Sequence, residues 1–115
     1  MNVKSCFAKL AFLCVLISSQ STAVTIEVYK ERKVSDRDLV EIYITGVAEG
    51  YSWLNTYLSS ERGETVYCPP SGLVLNTDNY IAILDSYIEK SNIGSDAPVE
   101  LALLYALRHA FICEQ

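Results

Sequence analysis

The chain has 115 residues, half of them hydrophobic, with 14 acids against 9 bases and a formal net charge of −5. That length supports one domain. The acidic balance argues against nucleic acid, whose phosphates it would repel, and against anionic lipid surfaces; a basic protein partner suits it better.

Residues 1–23 read as a secretory signal peptide. Lys4 and Lys9 make a positive start with no acid nearby, and Leu10 to Ile17 is unbroken apolar sequence. Ser18, Ser19, Gln20 and Ser21 end that run, and Ser21-Thr22-Ala23 offers small residues for cleavage after Ala23. The run is too short to span a bilayer, which takes about 20 residues. Cys14 does not read as a lipoprotein cysteine, because the bulky pair Phe12-Leu13 precedes it. Cleavage leaves residues 24–115, which are 92 of the 115, and removes two lysines and no acid, so the formal charge falls from −5 to −7. The expected location is an oxidising compartment such as a periplasm, with no membrane association after cleavage.

Cys6 and Cys14 leave with the leader, and Cys68 and Cys113 remain. Two cysteines in a small exported domain most simply form one disulfide. It would close a loop of about 46 residues and contribute ~4 kcal/mol through loop-closure entropy. A domain this small has a modest core, so such a staple matters. Two readings compete. Cys68 and His109 could pair as nucleophile and base, or His109 and Cys113, one helical turn apart, could join Cys68 on a metal. His109 is the only histidine, and a structural zinc needs four ligands. The bridge is therefore favoured, with no metal or cofactor expected.

Val24 to Lys33 alternates briefly, with Val24, Ile26 and Val28 against Thr25, Glu27 and Tyr29. No second strand pattern follows, so the segment reads as an extended lead-in or the start of a helix. A first long helix is expected from near Ser35, with Ser35 and Asp38 as an approximate capping box, to about Ser59. Leu39, Tyr43, Val47, Tyr51, Leu54 and Leu58 would form its buried face. Gly46 and Gly50 lie on this helix at a cost of about 1 kcal/mol each relative to alanine. Close approach of another helix or a kink would account for them. Trp53 should be partly exposed.

Ser59 to Asn76 is a long connection anchored by Cys68 and stiffened by Pro69-Pro70. A second helix follows Asn76 or Thr77, burying Tyr80, Ile81, Leu84, Tyr87 and Ile88, with Asn92 and Gly94 as stop signals. After the short stretch Ser91 to Ala97 comes a third helix, capped by Ser95 or Asp96 with Pro98 in its first turn. Ala102, Ala106 and Ala110 make a small-residue stripe, and Cys113 falls in the last turn. The expected fold is all-α: a small bundle of three or more helices stapled by one disulfide.

Catalytic patterns are weak. No glycine-rich phosphate loop is visible, and no Ser-His-Asp set stands out. Asp78 and Asp85, seven apart, read as a solvated helix face. Most of the tyrosines read as core-edge residues with hydroxyls reaching water, some as interface anchors. The residues thus favour a binding or inhibitory module over an enzyme.

The long helix with Gly46-x-x-x-Gly50-Tyr51, then Tyr67-Cys68-Pro69-Pro70, the helix Ile81 to Ile88, and Ala102-Leu103-x-x-Ala106-Leu107 ending in Phe111-Ile112-Cys113 resembles the Rap/Tai family of immunity proteins of type VI secretion amidases. The likeness covers about residues 38–113. It departs from the family's pattern at Ile112, where proline often precedes the last cysteine. The resemblance implies a periplasmic helical protein, commonly homodimeric, that occludes the cleft of a cysteine–histidine peptidoglycan amidase. It also implies a structural disulfide between Cys68 and Cys113. The expected inserting element is the loop with Asn92, Ile93, Ser95 and Asp96, and the segment with Glu61 and Glu64 is a second candidate. The alternative role is a general periplasmic stress or chaperone-like protein.

Overall fold

The computed structural model describes residues 23–114. The leader expected over residues 1–23, with Cys6 and Cys14, lies outside the described residues apart from Ala23. The all-α expectation holds: four helices in chain order are α1 (Ile26–Ser35), α2 (Arg37–Arg62), α3 (Thr77–Lys90) and α4 (Val99–Ala110). Among the described residues the only β feature is an isolated antiparallel bridge between Thr25 and Pro98.

The lead-in segment is a helix in its own right. Thr25 caps it, its hydroxyl accepting from the Val28 amide at 3.3 Å. Glu27 in the first turn and Arg32 and Lys33 in the last complement the helix dipole. Helical spacing outweighs the brief alternation because Ile26 and Tyr29, three apart, are the two side chains that bury, while Val28 stays exposed. The chain breaks at Asp36, whose backbone leaves the helical region (φ −153°, ψ 71°), so α2 starts without the side-chain cap expected at Ser35.

α2 runs to Arg62, three residues past the expected end. Gly63 stops it in the left-handed conformation (φ 65°), its amide donating to Ser59 O and that of Glu64 to Leu58 O. The buried face is rotated from the expected one. Val40, Ile44 and Ala48 are buried, Tyr43, Val47 and Tyr51 sit at its edge, and Leu39 and Leu54 are about half exposed. The leucines belong to a second apolar face on the far side of the helix. Ala48 is fully buried within that inner face.

α3 follows the sequence expectation. Asn76 caps it in a reciprocal box with Asn79, and Tyr80, Ile81 and Leu84 are buried, with Tyr87 and Ile88 half-buried. α4 buries Val99, Ala102, Leu103, Ala106 and Leu107 and packs most extensively on α3. Neither Ser95 nor Asp96 caps it: Pro98 holds the cap position, and the Val99 amide donates instead to Val24 O at 2.8 Å. Ala110 is exposed, so the alanine stripe serves the core only at Ala102 and Ala106. The helix ends at Ala110, which leaves Cys113 three residues beyond it.

Candidate partner-binding surface

The loop between α3 and α4 is fixed by its backbone. Its Gly94–Ala97 turn is closed by the Ala97 amide on Gly94 O at 3.1 Å. The carbonyls of Ser95 and Ala97 then accept from the amides of Glu27 (2.9 Å) and Ile26 (3.0 Å). Those amides open α1 and have no partner within their own helix, so loop and helix satisfy each other. Ile93 is half-buried against the core and therefore anchors the loop. Asn92, Ser95 and Asp96 are exposed. The result is a short polar ridge, with the Asp96 carboxylate turned back beside Gly94.

Glu61 and Glu64 are exposed as well, but a different part of the fold holds them. Glu61 lies in the last turn of α2, and Glu64 follows its terminating glycine. The connection beyond them is tied down twice. Cys68 and Cys113 are bonded, with Cα atoms 4.9 Å apart, and the Cys68 amide donates to Phe111 O at 2.8 Å. Asn55 of α2 clamps the preceding residues, its Nδ2 donating to Tyr67 O at 2.8 Å and its Oδ1 accepting from Val66 N at 2.7 Å. Tyr67 is buried beneath.

Cys68 thus carries no thiol in this form, and His109 is elsewhere, exposed on α4 with its ring 6.2 Å from that of Tyr87. The thiol–imidazole pair and the three-residue metal set are not assembled. No group of three or more His, Cys, Asp or Glu suited to a metal occurs among the described residues, and no described helix is long and apolar enough to cross a membrane.

The polar groups inside the fold serve its architecture. Tyr29 donates to Asp85 at 2.8 Å, and Lys33 reaches the other oxygen at 2.6 Å. Burial, then this hydrogen bond, pushes the Tyr29 hydroxyl well above the ordinary tyrosine range. Asp85 is therefore not the solvated residue its spacing from Asp78 suggested; Asp78 is exposed, 3.5 Å from Arg37. Tyr43 donates to Glu100 Oε1 and Tyr51 to the Glu100 carbonyl at 2.9 Å. Burial first, then the Glu100 hydrogen bond, pushes Tyr43 up to about 12. Glu100 Oε2 is buried without a hydrogen-bond partner among the described residues.

Comparison with known protein families, characterised proteins and solved structures finds no match. Two surface features escaped the sequence reading. One is an apolar cavity of about 290 Å³ between α1 and α2, bounded by Val28, Tyr29, Leu39 and Tyr43 with Arg32 its one charged lining residue. The other is the outer face of α2, where Ile42, Trp53 and Tyr57 are 73%, 71% and 57% exposed. Assigning all periodic apolar residues of α2 to one face hid the second.

Proposed function

We propose that the mature chain is a periplasmic immunity protein that occludes the cleft of a type VI secreted peptidoglycan amidase. The observation that carries this reading is the ordered Asn92–Asp96 ridge. A plug that must be ordered on contact loses affinity to that ordering, and here the backbone of Ser95 and Ala97 is already bonded to α1. The motifs behind the Rap/Tai resemblance add support, since Tyr67-Cys68-Pro69-Pro70 and Phe111-Ile112-Cys113 meet at the disulfide. Asn92, Ser95 and Asp96 are the contact residues in this reading, with Ile93 holding their platform. Glu61 and Glu64 offer a second acidic contact.

The test mixes the exported, oxidised protein with type VI amidases, isolates complexes and follows cell-wall hydrolysis. A stoichiometric complex that stops hydrolysis, and that Ser95→Trp or Asp96→Lys disrupts, is the expected result. No complex with any amidase, together with capture of unfolded proteins at acid pH, would overturn it in favour of the chaperone-like alternative.

A further inference from the structure

The cavity between α1 and α2 measures about 290 Å³, at the lower end of the range for small-molecule sites. Its walls are apolar because their polar groups are engaged elsewhere. The Tyr29 hydroxyl donates to Asp85 at 2.8 Å and the Tyr43 hydroxyl to Glu100, and neither carboxylate lines the cavity. Val24, also in the wall, is held by its carbonyl, which accepts from the Val99 amide at 2.8 Å. Bonds to α3 and α4 thus pin three wall residues and keep the space from closing by local collapse. Unfilled apolar space forfeits packing contacts along its whole lining. The cavity opens to solvent where Val28 is 39% and Leu39 52% exposed. Arg32, also exposed, lines it one helical turn beyond Val28, on the same face of α1. It is the one charged residue of the lining, and no carboxylate pairs with it among the described residues.

We propose that this cavity binds a free medium-chain fatty acid, its alkyl tail among Val28, Leu39 and Tyr43 and its carboxylate on Arg32. Volume sets the tail. A methylene takes up about as much room as a water in the liquid, ~30 Å³, so the space accepts a chain of about eight to ten carbons. A diacyl lipid brings two tails where there is room for one. Charge sets the head group. A guanidinium pairs bidentately with a carboxylate, and no acid in the lining repels one. The source follows from charge as well. A chain with a formal net charge of −5 faces many like charges at an anionic bilayer and only one in a free acid. A purely structural Arg32 would lay its methylenes over the apolar wall and keep its charge in water; that role needs the stem and not the charge. The cavity shares no lining residue with the Asn92–Asp96 ridge, and the inference stands whether or not an amidase is inhibited.

Calorimetric titration of the exported, oxidised chain with decanoate should show one saturable site with a dissociation constant on the order of 100 μM. The thermal midpoint should rise as the site fills. Decanol, with the same tail and no charge, should bind about tenfold more weakly. Arg32→Gln should bring decanoate to the level of decanol and leave decanol unchanged. Val28→Phe, which places a ring in the cavity, should abolish binding of both while helical circular dichroism is kept; if that variant does not fold, Leu39→Phe at the opposite lip takes its place. No saturable binding of decanoate at about 1 mM would overturn the proposal. So would binding that survives the cavity-filling variant, or equal losses of decanol and decanoate in Arg32→Gln. Capture of the protein by phosphatidylglycerol vesicles without affinity for decanoate would overturn it too, by making a lipid surface the ligand.

Discussion

The Tyr29 hydroxyl donates to Asp85 across 2.8 Å, joining α1 to α3 over 56 residues of sequence. Lys33, one helical turn past Tyr29, reaches the second carboxylate oxygen. One aspartate therefore holds α1 on the bundle by two polar contacts. Removing it leaves a buried hydroxyl without a partner, which costs more than losing the bond itself. Asp85→Ala should destabilise the fold by about 1–3 kcal/mol, and Tyr29→Phe by about 0.5–1.5 kcal/mol. Lys33→Met should cost under about 1 kcal/mol, because the ion pair is partly exposed. Urea denaturation of the three variants checks the order; no loss in Tyr29→Phe would mean that the hydroxyl contributes nothing specific.

The same tyrosines set an alkaline limit. Tyr29 and Tyr43 are both raised, chiefly by burial, so the folded state holds their protons at pH values where the unfolded chain has released them. Stability from this source is complete below pH ~10 and falls as pH rises past it, because the folded state then binds more protons than the unfolded one. Phenolate absorbance should therefore rise in two stages. The second stage belongs to Tyr29 and Tyr43, which ionise as helical circular dichroism is lost. Tyr29→Phe and Tyr43→Phe should each shrink the second stage. A single smooth titration with helicity intact throughout would contradict this assignment.

Reducing the disulfide should be costly. The bridge spans a sequence separation of 45, and closing a loop of that size is worth about 4 kcal/mol before strain. The Cys68→Ser, Cys113→Ser double variant should lose about 3–4 kcal/mol, a large part of a small domain's stability, and its melting midpoint should drop by at least ~10 °C. Oxidised and reduced forms of the natural protein compared by calorimetry would show the same gap.

Much of this fold was legible from local signals. Asn76 announced α3, Pro98 marked the start of α4, and Cys68 and Cys113 named their own bond. Other features were not legible because they depend on distant partners. The Ser95 and Ala97 carbonyls order α1 from nearly 70 positions away in the chain, so the segment from Val24 looked strand-like by itself. Asp85 looked solvated because nothing in the sequence places Tyr29 and Lys33 beside it. α2 misled differently: a helix with apolar residues on two faces satisfies a periodicity test on either. Leu39 and Leu54 matched the pattern as well as Val40 and Ile44, and only packing separates them. At the candidate site the exposed positions of Asn92, Ser95 and Asp96 agreed with the loop reading, whereas the inward turn of Ile93 needed the core to be seen.

Asn55 offers the sharpest test of how the Cys68 loop is positioned. Its amide donates to Tyr67 O, and its carbonyl oxygen accepts from Val66 N and, at 3.4 Å, from Tyr67 N. No other side chain type matches that set of partners at this length, since both a donor and an acceptor are needed. Asn55→Ala should cost about 1–3 kcal/mol, because the backbone groups at Val66 and Tyr67 lose their partners beside a buried ring. Asn55→Asp should not rescue it: the acceptor survives, but a carboxylate oxygen then faces the Tyr67 carbonyl. The disulfide holds the far side of the loop in both variants, so the damage should stay local. Amide exchange at Val66 and Tyr67 should accelerate in both while that of α4 changes little. Acceleration spreading evenly through α4 would instead mean that Asn55 supports the whole bundle and that the loop has no independent anchor.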